Sequence, residues 1–124
     1  MFEEDCLFCK IVRGEIPAKK VFETKDVIAF NDIYPQAVEH YLFIHREHTK
    51  NANSMVAQKP EHLTAIFKAI REFTQQTYLE TSGFRVVTNI GANAGQTVFH
   101  THFHVLGGEK LGTFGSNSTK SSIH

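Results

Sequence analysis

The 124-residue chain has no tryptophan and only two cysteines, Cys6 and Cys9. Two thiols three positions apart do not make the disulfide framework of a small secreted domain. They read as a metal or redox pair in a reducing compartment. A charge excess is missing too, since 13 basic side chains balance 13 acidic ones. Nothing therefore supports a polyanion such as DNA as obligate partner. No apolar run is long enough to span a bilayer. Met1-Phe2-Glu3-Glu4-Asp5 lacks the basic and apolar regions of a secretory leader. The expectation is one cytoplasmic domain with no membrane and no nucleic-acid partner. What is abundant is phenylalanine, 11 residues, the dominant large apolar side chain available for a core.

The most informative stretch is Asn93-Ala94-Gly95-Gln96-Thr97-Val98-Phe99-His100-Thr101-His102-Phe103-His104-Val105-Leu106-Gly107-Gly108. Three histidines alternate with Thr101, Phe103 and Val105, the period of an extended strand with two different faces. At about 3.3 Å per residue the imidazole carriers stand roughly 6–7 Å apart on one face. A solvated edge strand, a metal site and imidazole catalysis all fit that pattern. The preceding loop, Gly91 to Thr97, tilts the choice. Its small residues let backbone N–H groups approach an anion, and imidazole beside an anion cradle suggests phosphoryl or nucleotidyl chemistry.

Along the chain, residues 6–13 read as a short helix capped by Asp5 and stopped by Gly14. Leu7, Phe8, Ile11 and Val12 form its stripe. Residues 20–24 and 27–31 read as a hairpin, and 40–46 as a third strand. On that strand His40 shares a face with Leu42 and Ile44, while His45 faces the other way and is expected to be exposed. Residues 51–59 read as a polar loop. Residues 60–81 read as one long helix with a stripe of Leu63, Ile66, Phe67, Ile70, Phe73, Thr77 and Tyr78, ended by Gly83. His62 near its start is expected in solvent. Residues 84–89 and 100–106 are the fourth and fifth strands. The fold expected is α+β, a five-stranded, mostly antiparallel sheet with one long and one short helix. Residues 1–111 form the domain and 112–124 a flexible Gly/Ser/Thr-rich tail. Cys6 and Cys9 remain open between a redox pair, a buried pair without a task, and half of a zinc site.

His100-Thr101-His102-Phe103-His104-Val105-Leu106 resembles the His-x-His-x-His-x-x signature of the histidine-triad (HIT) superfamily, in which x is hydrophobic. Thr101 departs from it. Residues 11–19, 29–37, 40–44 and 89–108 are similar, in the same order, to segments of its Hint branch. The resemblance covers roughly residues 5 to 108. It implies a homodimer that hydrolyses purine nucleoside 5′-phosphoramidates of the AMP type. His102 would be the nucleophile and His104 a donor to a non-bridging phosphate oxygen. His40 would stand behind the triad, with Thr97 near the leaving group. Nucleotide contacts would come from Phe8, Ile11, Phe30, Asn31, Asp32, Ile33, Leu42, Asn89, Gly95, Gln96, Thr97 and Val98. Within that set, Asp32 would reach the ribose hydroxyls. The resemblance also implies that His48 and His100 complete a structural Cys2His2 zinc site with Cys6 and Cys9, the chemistry itself needing no metal. Competing readings are a dinucleoside polyphosphate hydrolase of the Fhit kind, a nucleotide-binding regulatory adaptor, and a purely structural zinc module.

Overall fold

Val27–Asn31 and Glu39–His45 bury side chains on both faces, so they form the middle of a sheet and not its rim. The computed structural model describes residues 5–113. In chain order these form α1 (Leu7–Val12), β1 (Lys20–Glu23), β2 (Val27–Asn31), β3 (Glu39–His45), α2 (Ala52–Gln58), α3 (Pro60–Gln75), α4 (Leu79–Ser82), β4 (Phe84–Val87), a 3-10 turn (Ala92–Ala94) and β5 (His102–Gly107). The sheet order is β1-β2-β3-β5-β4, and every neighbouring pair is antiparallel. The expected α+β architecture is present. No helix among the described residues is long and apolar enough to cross a membrane.

Period-two alternation divides the sheet's apolar residues between two cores. Val27, Ala29, Phe43, Phe103 and Val105 point to one face, where Ile66, Ala69, Ile70 and Phe73 of α3 cover them. Ile28, Phe30, Leu42 and Ile44 point to the other, where Phe8 and Ile11 of α1 pack. Phe8 of the short helix packs over His102, and His102 and His104 are both buried on that face. Register then places His104 opposite Leu42 and His102 opposite Ile44.

Several expectations need correction. Asp5 does not cap α1; Cys6 does, its sulfur accepting from the Cys9 amide at 3.4 Å. The segment 51–59 is a helix, because Asn51 caps it by accepting from the Ser54 amide and Met55 is fully buried beneath it. The long helix stops at Gln75. There Thr74 bonds back to the Ile70 carbonyl, while Thr77 accepts from the Leu79 amide and starts α4. His45 and His62 are both buried, their rings stacked at 3.6 Å and 10°. The side of β3 expected to be open is the side α3 covers. His100 lies before β5 and is not part of it. Of the tail expected at 112–124, residues 114–124 lie outside the described residues.

Candidate active site

The site is built on the α1 face of the sheet. His102 sits under Phe8, ring centroids 5.0 Å apart and planes perpendicular, and Phe8 makes a similar edge contact with Phe30. The Nδ1 of His102 lies 2.7 Å from the His100 carbonyl oxygen. A carbonyl only accepts, so Nδ1 carries the proton and Nε2 keeps its lone pair. That is the protonation state of a nitrogen nucleophile.

His104 is held from behind. The Nδ1 of His40 accepts from the Gln36 amide at 3.0 Å, so neutral His40 carries its proton on Nε2. That Nε2 lies 2.8 Å from Nδ1 of His104 and 3.4 Å from an Asp32 carboxylate oxygen. His104 must accept at Nδ1, which puts its own proton on Nε2. Neighbouring imidazoles are thus set to opposite roles, a lone pair on His102 and a donor on His104. Their centroids are 5.2 Å apart.

Asp32 is buried, and its other oxygen accepts from the Tyr34 amide at 2.8 Å. It therefore both shapes the turn and faces the histidines. Leu42 and Phe30 are buried close by; Asn31 and Asn89 are half-buried. Ile33, also expected at the nucleotide, is 82% exposed. Gly95 ends the 3-10 turn at φ +92°, a left-handed conformation that favours glycine. Gln96 uses its whole side chain inside the loop. Its Oε1 accepts from the Gly91 amide, and its Nε2 donates to the carbonyls of Lys50 and Val98. The side chain shapes the cradle and does not offer a free group to phosphate. Thr97 is exposed and, with Val98 and Phe99, lines a cavity of about 900 Å³ that also reaches Cys6, His48, Lys50 and Lys59.

On the far side of Phe8, Cys6, Cys9, His48 and His100 converge, their donor atoms all within 4.8 Å of one another. The Nδ1 of His100 lies 3.4 Å from the Cys6 sulfur and 3.5 Å from that of Cys9, which is 3.5 Å from Nδ1 of His48. A tetrahedral zinc ion has sulfur–nitrogen edges of about 3.5 Å, given bonds of about 2.3 and 2.0 Å. The Nε2 of His100 donates to the His45 carbonyl at 3.0 Å, leaving the Nδ1 lone pair aimed at the sulfurs. Donor types, spacing and tautomer all fit such an ion. Burial pushes the His100 pKa down to about 4, opposed by that same hydrogen bond.

The expected residues fall into two adjoining clusters, with His100 in both: its ring belongs to one and its carbonyl to the other. Sequence reasoning gave no role to Gln36 or Thr49 and placed His45 and His62 in solvent, where the structure buries both. The first two act through backbone groups or a hydroxyl pair, which leave no pattern along the chain. The histidine pair depends on which face α3 covers.

Residues 5–120 match a family described as "Scavenger mRNA decapping enzyme C-term binding". Among solved structures, a histidine triad protein from Clostridium difficile is 37% identical with a TM-score of 0.88, over 92% of this chain and 99% of that one. A HIT family hydrolase from Clostridium thermocellum is 40% identical with a TM-score of 0.84, over 90% and 96%. A histidine triad nucleotide-binding protein from Candida albicans is 30% identical with a TM-score of 0.80, over 94% and 87%. The likeness in sequence and in fold extends over most of each protein compared. The chain belongs to the histidine-triad (HIT) superfamily.

Proposed function

We propose that this protein is a nucleotide-binding hydrolase that cleaves purine nucleoside 5′-phosphoramidates through a nucleotidyl-histidine intermediate. The observation that carries the reading is the opposed tautomers of His102 and His104, one ready to attack and the other to donate. The hydrolase from Clostridium thermocellum and the nucleotide-binding protein from Candida albicans add support at the level of the family.

In the first step Nε2 of His102 attacks the α-phosphorus, forming an N–P bond as the P–N bond to the leaving group breaks. The leaving nitrogen takes up a proton, for which the Thr97 hydroxyl is the candidate donor. His104 donates from Nε2 to a non-bridging oxygen, where charge builds in the transition state. As His102 gains positive charge, its Nδ1–H bond to the His100 carbonyl strengthens. Water then attacks phosphorus, its proton returning to the Thr97 oxygen, and the N–P bond breaks to free neutral His102, splitting one hard displacement into two easier ones. Phe8, Ile11, Phe30 and Leu42 supply apolar walls for the base, and Asp32 an acceptor for ribose hydroxyls.

Cys6, Cys9, His48 and His100 would hold zinc, which supplies a structural cross-link between α1, the loop after β3 and the segment before β5. Pairing of two copies into a homodimer is part of the same reading, supported by the family membership.

The test is mass spectrometry after brief incubation with adenosine 5′-phosphoramidate, under denaturing and native conditions. AMP release with a transient single nucleotidyl adduct on the peptide containing His102 supports the proposal. Binding without adduct or product removes it in favour of the polyphosphate or adaptor readings. The native spectrum reads subunit number and zinc content.

A further inference from the structure

Thr101 occupies a position where the triad signature takes an apolar residue, and it is 1% exposed. A valine would fill the same space without a hydroxyl to satisfy. The hydroxyl is satisfied by Thr49, itself buried. Thr101 Oγ1 donates to the Thr49 carbonyl at 3.2 Å, and the two Oγ1 atoms are 2.6 Å apart. With the Thr101 hydrogen spent on that carbonyl, the Thr49 hydroxyl is the donor between them. The Thr49 carbonyl accepts a second bond from the Thr101 amide at 2.8 Å.

These contacts begin where the sheet ends. The β3–β5 ladder has its last pair at Ile44 and His102. Thr49, returning from the loop, replaces the missing strand for one residue.

The Thr101 amide and the His100 carbonyl are two ends of one peptide group. That group is planar and trans, so its N–H and C=O point in opposite directions and turn together. Thr49 holds the N–H, and the C=O accepts from Nδ1 of His102 at 2.7 Å. A hydrogen-bonded amide also polarises its own carbonyl and makes it a better acceptor. We infer that Thr49 and Thr101 are positioning residues for His102: their paired hydroxyls brace the Thr49 carbonyl that holds the His100–Thr101 peptide plane, whose own carbonyl keeps His102 in its Nδ1-protonated form. The inference rests on the reading of His102 as nucleophile.

The experiment uses the full chain carrying T101V, T101S or T49V. Nitrogen-15 NMR of labelled histidine reads the tautomer of His102, and steady-state kinetics use adenosine 5′-phosphoramidate. T101V is expected to mix the His102 tautomers and lower kcat by about tenfold to a hundredfold, with KM little changed. T101S should restore both. A folded T101V protein with the wild-type tautomer and kcat would overturn the inference. If T101V does not fold, T49V decides, since it keeps the Thr49 carbonyl and removes only the hydroxyl. An unchanged His102 in T49V would then overturn it. Wild-type protein that neither turns over nor forms an adduct sinks the proposed activity instead, while the tautomer readout still decides the clamp.

Discussion

His40 and His104 meet nitrogen to nitrogen at 2.8 Å, and only one of the two can own the proton between them. The Gln36 amide decides the matter from the other side of the His40 ring. A backbone N–H in the loop before β3 thereby sets the charge pattern at a site more than sixty residues further along the chain.

His40→Leu tests this chain of bonds. It removes the donor to Nδ1 of His104 and frees that ring to flip its proton inward. Turnover is expected to fall about tenfold to a hundredfold, with nucleotide affinity changed much less. Single-turnover kinetics beside equilibrium binding would separate the two effects. Equal losses in both would show that His40 serves the pocket's shape instead.

His102→Ala should abolish turnover and adduct formation while nucleotide binding survives. Isothermal titration with AMP, run beside an activity assay, reads both. Activity near wild type would remove His102 from the role of nucleophile.

Much of this arrangement could be read along the chain, because it follows short-range rules. Alternation of His102 and His104 with Phe103 and Val105 gave the strand and its two faces. Pro60 and the three-four spacing of Ile66, Ile70 and Phe73 gave the covering helix. What was not legible depends on contacts between distant segments. Residues 52–58 look polar because only Ala52 and Met55 of that helix go inside. His45 looked exposed because alternation says which residues share a face, not which face is covered. Thr101 departs from the signature along the chain, and the partner that accommodates its hydroxyl, Thr49, stands 52 residues away.

Replacing Cys6 and Cys9 together by Ser should lower zinc content and thermal stability, and leave the chemistry less affected. Metal analysis of gently purified protein and a melting curve check it. Wild-type protein that carries no zinc after purification without chelators would remove the metal from the account.

Acid should destabilise the metal-free protein. Burial lowers the pKa of both His45 and His100 to about 4, from an ordinary value of 6.5. For His45, nearby His62 adds to that shift. Between those values the unfolded chain binds more protons than the folded one, so stability rises with pH. Their contribution is complete at pH 7 and fades as pH falls from about 6.5 towards 4. Urea midpoints at pH 7 and pH 5 should differ, the lower pH giving the lower midpoint. Equal midpoints would show that these rings accept protons without leaving their places.

Gln96 has a consequence for the thermodynamics of recognition. Its amide ties Gly91, Val98 and the Lys50 carbonyl into one unit, so the loop does not wait for a ligand to acquire its shape. In the proposed reading, an arriving phosphate would meet a surface whose freedom was surrendered during folding, with little ordering left to oppose association. Affinity at such a surface is lost by loosening the empty protein, even where every group that touches the guest is left in place.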